Sequence, residues 1–475
     1  MSISKTKDFF IDLIKNWSRK KIIITISLLI LIGGGFYLFN FAKSNKTFIG
    51  IKSLSALNGL SKFLPIPADE KKELDVMNTL VQAFTQNDNQ TRTFMIMLQN
   101  NMELRPGGGF LGQYAIIKIN NGKVTSTFVE DANLLDQRIT AKITPPYPIV
   151  RMLGLKSWKF RDSNFSPDFP TNVEKAQYFY RLSGRSGVFD GVIAVNTDVF
   201  NDVLALTGPV TVPGYNVTFS SADGALKLEE YVEKYYLANP DVDTQNRKNI
   251  MKDLAPIIID KLFSLGNISK IAELAHKEFQ NRNIMVNFKD TALQAAAESV
   301  HWDGKVSQDW NSDYLMMVDA NMGALKTDYY MKRTVAYNID LTTDRPTVTL
   351  NIKYANTAPQ GDWRTSDYHS YLRIYAPLGS TFVSNHMVSK ITEGDELGKT
   401  YFGFKCDVLI GGETDATVVY QLPQNFDVNN YRLLIQKQSG VENVPVTVNL
   451  KTKDGKEYHQ QQTLNNDLKF EFQKS

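Results

Sequence analysis

Ile22 to Ala42 is a run of 21 residues without a charge, and it constrains this chain more than any other segment. A helix of about 20 apolar residues spans the hydrocarbon core of a bilayer. Gly33, Gly34 and Gly35 interrupt the run, which helices in lipid tolerate. Lys5, Lys7, Lys15, Arg19, Lys20 and Lys21 precede it. The positive-inside rule therefore predicts a cytoplasmic tail over 1–21, a transmembrane helix over 22–42 and a tether over 43–67, with the rest outside the plasma membrane, facing the extracellular or cell-wall space. A cleaved signal peptide is the competing reading, but the run exceeds an ordinary h-region and no Ala-x-Ala site follows it. No cysteine stands just behind it either, which excludes a lipoprotein anchor.

Charge is divided the same way. Residues 1–46 carry a net +6 while the whole chain carries +3, so the outer region is mildly acidic. Such a region has no field to attract nucleic acid. Cys406, the single cysteine, permits no internal disulfide, and its strand-like setting suggests a packed, inert thiol. Five histidines without a His-x-x-x-His or Cys-x-x-Cys spacing make a zinc site improbable.

Beyond the tether, Leu74, Met77, Leu80, Val81 and Phe84 share one face of a helix predicted over 68–84. Strands are expected over 91–98, 110–119 and 123–129, the last two joined by the turn Asn120-Asn121-Gly122. Residues 130–170 are rich in proline and polar groups and read as a long loop. Thr171 and Glu174 form a capping box for the next helix, followed by a buried strand over 188–195 and a helix over 198–206. Residues 224–297 are mostly helical. After residue 331 alternating β-rich runs take over. The expected fold is an α/β core over 68–330, a mixed sheet with flanking helices, and a β-sandwich-like domain over 331–475.

Three segments carry candidate chemistry. In the first, Gln99 to Phe110, Asn101, Glu103 and Arg105 precede three glycines. The amides of Gly108 and Gly109 offer an anion site and Arg105 a phosphate or carboxylate clamp; the alternative is a tight connection with Arg105 paired to Glu103. In the second, Arg161 to Pro170, Asp162 and Asp168 offer oxygen ligands to a divalent cation, or merely cap and brace a loop. In the third, Asp190-Gly191 enters an apolar strand, where Asp190 is a turn residue or a base.

Taken together, these segments, closed by Thr207-Gly208-Pro209-Val210, resemble a bacterial family catalogued as domain of unknown function 4012, as do Asn321, Lys326 and Asp328-Tyr329-Tyr330. That resemblance brings no established activity. A more distant one is to the LytR–CpsA–Psr enzymes, which move glycopolymers from a polyprenyl-pyrophosphate lipid to peptidoglycan using arginines, an acid and Mg²⁺. It implies Arg161 and Asn164 as pyrophosphate ligands, Arg105 as a second clamp and Asp162 as a metal ligand. Their Ser-x-Pro-Arg-Asp segment has no clear equivalent here.

Two functions follow. One is a non-catalytic surface module that binds a wall glycan or a protein partner. The other is an Mg²⁺-dependent phosphotransferase, or a binder of lipid-linked glycopolymer, with Glu103 or Asp190 as base.

Overall fold

The computed structural model describes residues 67–472 apart from 186, 239–248, 265–267 and 387–390. The tail, the expected membrane helix and nearly all of the tether lie outside the described residues. Among those described, no helix is long and apolar enough to cross a membrane.

Helix α1 (Ala68–Thr85) starts behind Pro67, with Asp69 and Glu70 in its first turn, where the helix dipole favours negative charge. Strands β1 (Thr91–Asn100), β2 (Phe110–Asn120) and β3 (Lys123–Asp131) form an antiparallel meander. Asn121 and Gly122 both have positive φ, the signature of a type I′ hairpin turn. The expected loop over 130–170 contains two short helices, α2 (Ala132–Arg138) and α3 (Tyr147–Met152), each under two turns and too brief to give a periodic signal. Helix α4 (Phe169–Leu182) begins earlier than the predicted capping box: Asp168, not Thr171, is its N-cap, accepting from the Thr171 amide. Pro170 favours this start because proline fits the first helical turn.

The chain returns as β4 (Gly191–Asn196), parallel to β1. Helix α5 (Asp198–Thr207) follows and ends at Gly208, whose φ is +76°. After the small hairpin β5 (Val210–Thr211) and β6 (Thr218–Phe219) come α6 (Gly224–Ala238), α7 (Asn249–Ser264) and α8 (Ile268–Gln280). Strand β7 (Ile284–Phe288) and α9 (Thr291–Ser299) complete the core. The sheet order is β3-β2-β1-β4-β7. Side chains alternate between its faces. Met95, Met97, Val192 and Ala194 pack on one side with Val173, Ala176 and Phe179 of α4. Phe94, Ile96 and Ile193 face the other side, where α1 and α9 pack and Phe279 stacks on Trp302.

The remaining strands form two six-stranded sheets around one apolar core, as a sandwich. The first is β12 (Thr381–His386), β15 (Glu413–Gln421), β10 (Thr347–Asn356), β9 (Met331–Asp340), β17 (Val444–Lys451) and β18 (Glu457–Leu464). The second is β13 (Thr392–Glu396), β14 (Lys399–Val408), β11 (Tyr368–Pro377), β8 (Asp313–Val318), β16 (Arg432–Gln436) and β19 (Leu468–Glu471). Strand β8 precedes residue 331 yet sits centrally in this sheet, between β11 and β16. A six-residue apolar run does not encode which sheet it joins. Cys406 is buried in β14.

Candidate functional site

The glycine-rich segment leaves the end of β1 and folds back into β2, closed by the Phe110 amide donating to the Glu103 carbonyl at 2.9 Å. Arg105 points inward and is 2% exposed. Its Nη2 bonds Glu103 Oε1 at 3.0 Å and its Nε bonds Asp162 Oδ1 at 3.3 Å. Its Nη1 donates to the carbonyls of Asn321 and Leu104. A guanidinium has five N–H donors, and these four contacts leave little for a ligand. Arg105 is thus an internal strut, as the tight-connection reading had it. Burial pushes the Glu103 carboxyl above its usual range, while Arg105 opposes the shift.

The three glycines serve close packing. A Cβ on Gly108 would meet Ser439 Oγ at 2.5 Å, and one on Gly109 would meet the Asn100 backbone at 2.4 Å. Asn164 is fully buried behind this loop, donating to Gln99 Oε1 and the Gly109 carbonyl and accepting from the Gly107 amide. Asn101 Nδ2 donates to Asp198 at 2.6 Å and to the Gly440 carbonyl. The Gly108 amide donates to the Arg105 carbonyl at 2.9 Å, so it is turned to the protein's own backbone.

Arg161 faces outward from Asp162: its Nε bonds Asp136 Oδ2 at 2.7 Å and its side chain is 38% exposed. Arg105 and Arg161 thus do not close on one ligand, since one is enclosed and the other lies at the surface. The Asp168 carboxylate takes the Thr171 amide and hydroxyl and the Val306 amide. Asp162 holds Arg105. These commitments do not fit a shared Mg²⁺, and no group of three His, Cys, Asp or Glu among the described residues could hold a metal ion. Asp190 accepts from the Thr93 amide at 2.7 Å, bracing the start of β4. Glu103 lies beyond the opposite end of β1, so the two carboxylates stand roughly 20 Å apart at about 3.3 Å per residue of strand. They cannot share one reaction.

These motifs instead join the core to the sandwich. The Leu104 amide bonds Asp328 Oδ2, and Asp328 also takes Asn321, Tyr368 and Arg333. Asn196 Nδ2 donates to Ser439 Oγ at 3.0 Å, Asn283 to Glu442 and Arg282 to Asp467. Buried Lys437 reaches the Asn281 carbonyl. The role of Ser439, Lys437 and Glu442 gave no signal in the sequence, because their partners lie over 150 residues away.

A separate cavity of about 490 Å³ lies between the sheet and α5, α6 and α7. The strands contribute Ile96, Leu98, Ala115, Ile117 and Val195, and the helices Val199, Phe200, Val203, Leu228, Val232, Leu254 and Ile258. Most of its polar lining gathers at one end, while Thr127, paired with Ile117, stands at the other. Gln99, Asn100, Asn196 and Thr197 stand at the carboxyl ends of β1 and β4, and register places Gln113 beside them. Lys326 and Glu229, 3.9 Å apart, also line it. Gln113 Oε1 is buried without a hydrogen-bond partner. From Gln113 to Ile117 the lining along β2 runs roughly 13 Å into apolar side chains.

Residues 89–232 match the family described as protein of unknown function (DUF4012). No curated protein matches the sequence. Among solved structures, Lin1025 from Listeria innocua is 16% identical, covering 48% of this chain and 86% of its own, with a TM-score of 0.27. TagV from B. subtilis is 17% identical over 46% and 81%, with a TM-score of 0.28. Protein gbs0355 from Streptococcus agalactiae is 12% identical over 47% and 76%, with a TM-score of 0.30. At such TM-scores the likeness decides nothing about chemistry.

Proposed function

We propose that this chain is an outward-facing envelope protein, held by residues 22–42, whose α/β core receives the hydrocarbon tail of a membrane lipid. The observation that carries the reading is the cavity between the sheet and α5–α7. Protein interiors are close-packed, so side chains normally fill the space between a sheet and its covering helices. Here about 490 Å³ remains, within the usual range of about 300–1,000 Å³ for ligand pockets. Its depth is apolar, unsuited to ordered water, which needs two to four polar partners. Its polar end suits a headgroup. Lys326, 3.9 Å from Glu229, supplies a cation there, and the amides of Asn100 and Gln113 supply donors and acceptors.

The reading is one of binding. A phosphotransferase mechanism would need a cation cluster and a metal beside a base, whereas Arg105 is enclosed and Asp162 and Asp168 are committed elsewhere.

The test titrates the full-length chain with geranylgeranyl phosphate and with dodecyl phosphate. Saturable binding is expected, lost in Ala255→Trp and Val203→Phe, which fill the cavity, with the melting temperature retained. Absence of saturable binding by either probe would refute the reading.

A further inference from the structure

A second cleft, of about 340 Å³, opens between the 146–175 segment of the core and strands β11, β13 and β14 of the sandwich. We infer that this cleft binds a saccharide. Its wall is aromatic: Tyr147, Trp158, Tyr371 and Tyr401 line it, and Tyr147 is 57% exposed. Polar side chains alternate with those rings, among them Asn172, Thr392, Glu396 and Lys175, whose ammonium lies 4.6 Å from the centre of the Trp158 ring. Arg373 and Ser163 both line the cleft and are 8% and 1% exposed.

Two atoms distinguish it from an ordinary surface groove. Arg373 Nε and Ser163 Oγ are buried and make no hydrogen bond. The rest of Arg373 is held rigidly: Nη1 bonds Glu396 Oε1 at 2.9 Å and Nη2 the Phe165 carbonyl at 3.0 Å. Glu396 Oε1 also accepts from Tyr375, so the carboxylate is fixed too. Buried polar groups in folded proteins are nearly always paired, and an orphaned pair beside one cleft points to a partner that arrives with the ligand.

The chemistry specifies that ligand. A pyranose has an apolar face of C–H groups that lies against a tyrosine or tryptophan ring, and a rim of hydroxyls that both donate and accept. Arg373 Nε requires an acceptor, Glu396 a donor, and Ser163 takes either. A hydroxyl-rich ring meets all three, whereas a free phosphate leaves the aromatic wall unused. Glu396 pairs with Arg373 while Lys175 also lines the cleft, so both a neutral and an acidic sugar fit its charges. This site is independent of the lipid cavity.

Calorimetry on the full-length chain tests the inference with a neutral N-acetylglucosamine tetramer, a uronic-acid-containing tetrasaccharide and a proline-rich decapeptide, the other ligand that aromatic clefts accept. At least one sugar should saturate. Ser163→Ala and Arg373→Lys should weaken it tenfold or more. Tyr147→Ala, at an exposed position that leaves folding intact, should weaken it at least threefold. Geranylgeranyl phosphate binding should be unchanged in all three. No saturable sugar binding, binding of the peptide instead, or sugar affinity indifferent to Tyr147→Ala would overturn it.

Discussion

Arg105 Nη1 donates to the backbone carbonyl of Asn321 at 2.8 Å, tying the glycine-rich loop to the segment that leads into the sandwich across 216 residues of sequence. The same side chain pairs with both Glu103 and Asp162, which are nearly as buried. An arginine placed this way acts on stability before it acts on any ligand.

Replacing Arg105 by alanine should therefore be severe. Removing one partner of a buried ion pair leaves the others desolvated and uncompensated, at a cost of about 3–5 kcal/mol. Thermal melting should show a drop of the order of 10 °C. Arg161→Ala, which removes a half-exposed partner of Asp136, should be much milder. Equal losses in the two variants would contradict the geometry.

Gly108 offers an independent probe of the same junction. Its φ is +124°, and a Cβ there would lie 2.5 Å from Ser439 Oγ. Gly108→Ala combines backbone strain with an overlap across the domain junction, for a loss of roughly 2–4 kcal/mol. Urea unfolding should show the sandwich and the core separating into two transitions in this variant if the junction is what couples them.

Asp198 makes stability depend on pH. Burial, together with the nearby Glu442 charge, pushes its carboxyl up to about 6 from an ordinary value of 3.8. The folded state then holds a proton that the unfolded state has released. The stabilisation is complete below pH 3.8 and is lost as pH rises to about 6. Asp198→Asn keeps an acceptor for Asn101 and removes the penalty. It should gain about 2 kcal/mol near pH 7 and little near pH 4, read from melting curves across that range. A gain that does not vary with pH would argue against the assignment.

Cys406 should be unreactive while the protein is folded. Its thiol is buried and pushed up to about 12, so almost no thiolate exists at pH 8. Iodoacetamide should modify it slowly in the native chain and rapidly in guanidinium. Rapid native labelling would place it at an accessible site instead.

Much of the fold was legible because periodic patterns are local. The hairpin at Asn121-Gly122, the helix starting at Ala68 and the alternating runs after residue 331 are each written in a few neighbouring residues. Strands β13, β18 and β19 were not legible, since β13 (Thr392–Glu396) and β18 (Glu457–Leu464) are polar and mostly exposed at or near sheet edges. The placement of β8 was hidden for another reason, because pairing partners more than 50 residues away leave no local trace.

The candidate site divides in the same manner. Residue chemistry singled out Arg105, Glu103, Asp162 and the glycines, with Asn164 added only by the distant family resemblance, and it allowed either an anion cradle or a tight internal connection. Only the tertiary structure decided between them, by burying the guanidinium between its neighbour Glu103 and two distant segments that bring Asp162 and Asn321. It also disclosed two recesses that no motif announced, the apolar cavity beneath α5–α7 and the aromatic cleft beside Arg373. Sequence by itself determined which elements form, because their signals lie within one or two turns of chain. Where a side chain finds its partners, and where space is left unfilled, depends on contacts between segments hundreds of residues apart, and those exist only once the chain has folded.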